Sequence, residues 1–305
     1  MSERNNENKD TASALSQSHC NDPDSSCNLE ETYNLEKSGL WLPNFFLPVN
    51  SENLKSAHEM EVRTGDILMC SFPKTGTHWN AYISGMLLRG GAEHVDGQGG
   101  LLESAFLKVL KKRPSPRILN THLPYKFIPK QAFEKKIKII LLHRNPKDAM
   151  VSFYHHLNQM KGHDEGSFED FFNHRLKDFC RNFAEYYVEW EKAIECHSDV
   201  EVYKSIYEEM KSNPVDGVIS LNNYLNTGCS QELCEKIASA CCFETLKKAK
   251  DQKESDFVKQ LFKDNKPQFY RKGEVGDWKN HFTPAMSDQF DAEYKKCLGE
   301  SKCKL

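Results

Sequence analysis

The chain is 305 residues long, with 41 Lys and Arg against 44 Asp and Glu and a formal net charge of -3. So close a balance excludes the basic domain of a general nucleic-acid binder, though not a small cationic pocket for an anion. The mean hydropathy of -0.69, with no run near the ~18 apolar residues of a spanning helix, argues against a membrane protein.

Residues 1–38 are rich in Asn, Ser, Asp and Glu and poor in aliphatics. They predict a disordered polar tail, because so little apolar area cannot offset the entropy of ordering. The opening MSERNNENKD lacks the apolar core of a secretory signal, so the cytoplasm is the expected compartment. The cysteines are odd in number, scattered and without a CxxC pair, which points to reduced thiols rather than a disulfide framework or a zinc site. From residue 39 to 305 one folded domain is expected, opening near Leu40–Trp41.

The first strand is expected over Asp66–Ser71, a short apolar run bounded by Gly65 and Pro73. Thr77–Arg89 has helical spacing, with Trp79, Ile83, Met86 and Leu87 as its core stripe and Gly90–Gly91 as its stop. Arg117–Asn120 and Ile137–Leu142 predict two further strands. Pro146 opens a helix that runs to about Asn158, since proline is tolerated in a first turn. Phe168–Cys196 reads as two helices, Val200–Lys204 as a strand, and a short helix ends before Asn213–Pro214. Alternating strands and helices of this kind predict an α/β fold, a single domain with a central parallel sheet flanked by helices. Its ligands belong beyond the carboxyl ends of the strands.

Between the first strand and the first long helix lies Ser71-Phe72-Pro73-Lys74-Thr75-Gly76-Thr77-His78-Trp79. That setting suits a phosphate cradle. The N–H groups at a helix start and the positive end of its dipole favour an anion. Gly76 permits close backbone approach, Lys74 adds a charge, and Thr75 and Thr77 add hydroxyls. The Walker pattern GxxxxGK[ST] is absent, since the lysine here precedes the glycine. An ordinary turn with a solvated lysine is the competing account.

PKTGTHW resembles the PKSGTTW loop of the cytosolic sulfotransferases, which use 3'-phosphoadenosine 5'-phosphosulfate (PAPS) as sulfuryl donor and release the desulfated nucleotide, PAP. Three further segments agree in order. Asn120-Thr121-His122-Leu123-Pro124 resembles KTHLP. Arg144-Asn145-Pro146-Lys147-Asp148 with Val151-Ser152-Phe153-Tyr154 resembles RNxKD and VSYYH. Arg271-Lys272-Gly273 with Gly276-Asp277-Trp278-Lys279 resembles RKGxxGDWK.

The resemblance implies a P-loop-like phosphosulfate-binding turn and a sulfuryl transfer, in which positioning and charge stabilisation carry the catalysis. It assigns His122 as the base that takes the acceptor's proton and Lys74 as the cation on the bridging and 5'-phosphate oxygens. A histidine after a strand is by itself more often structural. The loop residues Lys74, Thr75, Gly76, Thr77 and His78 would hold the 5' phosphate. Arg144, Ser152, Arg271, Lys272 and Gly273 would hold the 3' phosphate, with arginine suited by its planar fork. Trp79, Phe243 and Tyr207 would surround the adenine. No metal is implied, because protein cations meet the nucleotide's charge.

The departures are specific. Asn120 stands where the family often has lysine, His78 replaces a threonine, and Cys241 stands where threonine is common. The family's dimer motif KxxxTVxxxE is altered to Lys279…Thr283-Pro284…Asp288, so a homodimer is compatible with the resemblance but its motif is changed. The acceptor is expected to be a small molecule, a phenol, alcohol, steroid or amine. Its apolar pocket is expected from Phe45–Phe46, residues 94–106 and Phe153–Met160, with Gly97–Gly100 as a mobile segment or an ordinary surface loop. The alternative is a PAPS- or PAP-binding module with little turnover, which retention of Lys74 and His122 opposes and Asn120 leaves open. A nucleotide kinase would need the missing Walker loop.

Overall fold

A computed structural model describes residues 51–95, 100–104, 107–251 and 259–299. The expected tail, its boundary at residue 39 and Phe45–Phe46 lie outside the described residues. The elements in chain order are α1 (Ser51–His58), β1 (Ile67–Ser71), α2 (Thr77–Arg89), α3 (Leu107–Lys112), β2 (Ile118–Thr121), α4 (Gln131–Glu134) and β3 (Lys138–His143). They continue with α5 (Pro146–Gln159), α6 (Phe168–Cys196), β4 (Val202–Ile206), α7 (Tyr207–Ser212), α8 (Pro214–Leu225), α9 (Gln231–Ala240), α10 (Phe243–Asp251) and α11 (Pro284–Leu298).

The four strands form one parallel sheet in the order β2-β1-β3-β4. The register sets Leu68 beside Leu119 and Ile139, and Ile139 beside Val202. Successive side chains point to opposite faces. Leu68, Cys70, Leu119, Ile139 and Leu141 meet the aromatic face of α6, while Ile67, Met69, Ile140 and Leu142 meet α2, α8 and α9. Both faces are covered, which is why β1 and β3 read as unbroken apolar runs rather than alternating ones.

Because β2 and β3 lie on opposite sides of β1, the connections leave its carboxyl end in different directions. A crevice at that switch point is where an open α/β sheet places its ligand. The ends of β1, β2 and β3 are Ser71, Thr121 and His143.

Helix α2 has the bounds read from its sequence, closed by left-handed Gly90 with N–H bonds from Gly90 and Gly91 back to Leu87 and Met86. Asn145 caps α5 by accepting from the N–H groups of Lys147 and Asp148, with Pro146 in the first turn. Phe168–Cys196 is one 29-residue helix and not two. No glycine or proline interrupts it, and its buried residues from Phe171 to Ala193 keep one helical stripe over about 33 Å. Ser167 and Asp170 form a capping box at its start.

The cysteine reading also needs correction. Seven described cysteines are free thiols, but Cys196 is disulfide-bonded. Scattered spacing carries no pairing signal, so this bond is not legible in the cysteine pattern. No described helix is long and apolar enough to cross a membrane.

Candidate functional site

The turn after β1 holds two residues in the left-handed region, Lys74 at φ 72° and Gly76 at φ 106°. Turn backbones of this kind align successive N–H groups around a concavity for an anion. Two hydroxyls in the turn are already committed. Thr75 Oγ1 donates to the Phe72 carbonyl at 2.7 Å, and Thr77 Oγ1 is 2.7 Å from Ser71 Oγ. Thr75 therefore shapes the turn with its side chain and offers a ligand only its backbone N–H. A Cβ on Gly76 would lie 3.1 Å from the Tyr207 ring.

Lys74 is half-buried and pairs with no carboxylate among the described residues. Desolvation, followed by the charges of Arg144 and Arg271, lowers its pKa to about 7. Arg144 Nη1 donates to the Lys74 carbonyl at 2.9 Å, and its guanidinium lies 4.2 Å from the centre of the Tyr207 ring. The Arg144 Nε–H is buried without an acceptor among the described residues. Three cations face one another here, with a buried donor left over, and a bound polyanion satisfies both conditions.

His122 follows β2 and is only 6% exposed. Its Nδ1 lies 2.7 Å from the Ser71 carbonyl and 3.1 Å from Ser71 Oγ. A carbonyl can only accept, so Nδ1 carries the proton and Nε2 the lone pair. Burial, with a smaller effect from Lys74 charge, brings the imidazole pKa down to about 4. The ring is therefore neutral near pH 7. Ser71 ties it through Thr77 to the start of α2.

Below His122, the Glu103 carboxylate accepts from the His122 backbone N–H at 2.8 Å and from the Thr121 hydroxyl at 2.9 Å. Asn120, where the resemblance often has lysine, turns the other way. Its Nδ2 donates to the Gly100 carbonyl at 3.3 Å, and the Leu102 N–H donates to its own carbonyl. It stitches residues 100–104 to the end of β2 rather than supplying charge.

Arg271 and Lys272 both bind Asp277, Lys272 at 2.7 Å. Burial alone would raise the Asp277 carboxyl, but hydrogen bonds from Lys272, Arg271 and Asn280 outweigh it and hold the pKa well below the usual range. Asp148, in the first turn of α5, accepts the N–H groups of Gly276 at 2.7 Å and Trp278 at 2.9 Å. The Arg271–Gly273 segment is thus fastened to the helix that carries Ser152, which is itself half-buried. A Cβ on Gly273 would stand 2.2 Å from the Phe243 ring, so only glycine fits under that aromatic.

Trp79 is half-buried rather than part of the core stripe, and its Nε1 donates to the Cys241 carbonyl at 2.9 Å. Its ring meets Tyr207 edge-on at 5.3 Å. Trp79, Tyr207, Cys241 and Phe243 therefore lie along one rim, with Arg144 and Gly273 joining it to the cations. The ring of His78 packs edge-on against Phe269 at 5.0 Å.

Two expected pocket residues belong elsewhere. Phe153 is 1% exposed and stacks among Phe171 and Phe179, and Met160 is buried, so both are core. Residues 96–99 and 105–106 lie outside the described residues. Thr283 caps α11 with Pro284 in its first turn, so the proline that alters the dimer motif serves as a helix start. The sequence reading gave no role to Glu103, Asp148, Asp277 or Ser71. Asp148 and Asp277 lie inside quoted motifs, where a carboxylate among lysines and arginines was the available signal.

The family profile described as Sulfotransferase domain matches residues 64–302. Sulfotransferase 1B1 of Mus musculus is 32% identical over 262 residues, covering 80% of this chain and 86% of that protein. Sulfotransferase 6B1 of Homo sapiens is 32% identical over 257 residues, covering 81% of each. The crystal structure of mouse sulfotransferase SULT7A1 complexed with PAP superposes with a TM-score of 0.66 at 26% identity, covering 83% of this chain and 92% of that one.

Proposed function

The chain belongs to the sulfotransferase domain family and is a PAPS-dependent sulfotransferase, and we propose that it carries the sulfuryl group to a hydroxyl or amine of a small apolar acceptor with His122 as base. The observation that supports this most is the mutual repulsion of the Lys74, Arg144 and Arg271 charges around a turn whose neighbour is a histidine protonated on Nδ1, with Lys74 paired to no carboxylate among the described residues.

The acceptor's proton goes to His122 Nε2 while its oxygen or nitrogen forms the new bond to sulfur, and the bond from sulfur to the phosphate oxygen breaks. Lys74 and the N–H groups of residues 75–77 offset the charge left on that phosphate, as preorganised donors do in a cleft. The Lys74 charge, after burial, also depresses the His122 pKa. An anion beside Lys74 offsets that charge, so the imidazole becomes more basic when the donor is in place. Arg144 with its spare Nε–H, Ser152 and the Arg271–Gly273 segment hold the 3' phosphate. Trp79, Tyr207 and Phe243 frame the base, each offering an apolar ring face.

Labelled PAPS incubated with a library of phenols, steroid alcohols and amines should give at least one sulfated product, and PAP should raise the melting temperature where ATP with magnesium does not. A library without product, together with no shift from PAP, would count against the assignment.

Gly76 supplies a sharper check. An alanine there must keep a left-handed φ, at about 1–2 kcal/mol, and must also press on Tyr207. Gly76→Ala should therefore weaken PAP binding by more than ten-fold while the ligand-free melting temperature falls only a few degrees. Calorimetric titration of PAP measures it.

A further inference from the structure

We propose that Glu103 is a positioning residue for the transfer: its ionised carboxylate fixes the end of β2 so that the His122 ring is presented to the acceptor. The inference rests on His122 being the base.

Glu103 is 2% exposed and contacts no described cation. Its two oxygens divide the work, Oε1 holding the His122 backbone N–H and Oε2 the Thr121 hydroxyl. Thr121 Oγ1 in turn accepts the Leu123 N–H at 3.0 Å. The carboxylate therefore fixes three successive residues, 121 to 123, with the base in the middle. The ring itself is held from the other side by the Ser71 carbonyl. Main chain and ring are clamped separately, the arrangement a base needs if its Nε2 is to stay on line, because small misplacements cost large factors in rate.

A carboxylate is an expensive choice for this place. Burial raises its pKa to about 7, against hydrogen bonds from His122 and Thr121 that lower it. The groups packed around it remain neutral near pH 7. On β1 the Cys70 thiol is pushed well up by burial, and on α6 the Tyr186 phenol likewise. His122 stays deprotonated to about pH 4. Protonation of Glu103 turns one of its two acceptor oxygens into a donor, so one of the two clamped groups loses its acceptor.

The sign for stability is opposite to the sign for turnover. A carboxyl whose folded pKa exceeds its unfolded value favours folding at low pH, and that contribution fades as pH rises from about 4.5 through about 7. Ionised Glu103 thus burdens the fold at the pH where it serves catalysis. A merely structural residue would not show this opposition.

The test measures kcat with saturating PAPS from pH 5.5 to 9, using 2-naphthol, a 3-hydroxysteroid and tyramine as acceptors. Wild type, Glu103→Gln, Thr121→Val and His122→Ala are compared, with PAP affinity and melting temperature at pH 6 and 8. Saturating nucleotide keeps Lys74 protonated, so its titration does not enter. Wild-type kcat should fall below about pH 7. Glu103→Gln should lose about 10- to 100-fold at pH 8, with a flat profile from pH 6 to 8. Its PAP affinity should stay within about two-fold and its melting temperature at pH 8 should not drop. Thr121→Val removes one bond to the ionised form, so its acid limb should move to higher pH.

The inference is overturned if Glu103→Gln keeps both rate and acid limb, if it loses PAP binding and melting temperature together, or if Thr121→Val leaves the limb unmoved. A different pair of outcomes, wild type inert on all three acceptors or His122→Ala as fast as wild type, removes the underlying assignment and the inference with it.

Discussion

His122→Ala is expected to lower kcat by about 10²- to 10⁴-fold, the usual range for removing a positioned general base, while PAP binds within about two-fold of wild type. The split follows from the geometry. His122 Nδ1 is bonded to the main-chain carbonyl of Ser71, not to a side chain that binds nucleotide. Its loss leaves the Lys74–Gly76 turn fastened by Thr75 to Phe72 and by Thr77 to Ser71. Because the anchoring acceptor is a carbonyl of the central strand, no single side-chain substitution elsewhere can reverse the tautomer. The ring's own acid limb should lie between about pH 4, set by burial in the free protein, and its ordinary value, since anion binding relieves the repulsion from Lys74. Pre-steady-state mixing of enzyme, PAPS and acceptor measures the chemical step directly. An unchanged burst in His122→Ala would strip the residue of its base role.

The sequence made the sheet and the cationic turn legible for one reason: both are local. An apolar run bounded by Gly65 and Pro73 can hardly be anything but a buried strand, and the glycines at 76 and 90 mark the two ends of α2. The α6 region was read as two helices although no glycine or proline stands between Phe168 and Cys196 to end the first. Phe153 and Met160 were placed in a pocket on their apolar character, which does not distinguish a core from a cavity lining; contact with α6 decides that for Phe153, and a bridge to Phe262 for Met160. The carboxylates were missed for the same physical reason. Asp277 matters through Arg271 and Lys272, Asp148 through main-chain N–H groups 128 and 130 residues away, and Glu103 through the end of a strand it only bridges. Each acts on other residues rather than on a ligand, and nothing in a one-dimensional pattern marks such a role.

Lys74→Ala should reduce turnover about 10²- to 10³-fold, as for loss of one preorganised donor at a developing charge, and unlike His122→Ala it should also weaken PAP. Lys74 has a second, more particular signature. Its pKa in the free protein is brought to about 7 by burial and then by Arg144 and Arg271. Phosphate oxygens beside the ammonium raise that value again, so above pH 7 binding must draw a proton onto the lysine. At pH 8 about nine-tenths of free sites carry a neutral Lys74, and uptake should approach one proton per nucleotide. PAP affinity should accordingly weaken by up to about ten-fold per pH unit above 7, until the bound-state pKa is reached. The nucleotide's own phosphates do not mimic this, because their second ionisation, near pH 6, is complete by then and its sign is opposite. Calorimetry at pH 8 in two buffers of different ionisation enthalpy counts the proton. Lys74→Met should abolish the uptake while Arg144 and Arg271 still hold the 3' phosphate, so measurable binding should survive. Wild-type binding with no proton uptake would mean that the lysine is already charged, and that the mutual repulsion of these three cations does not define the site.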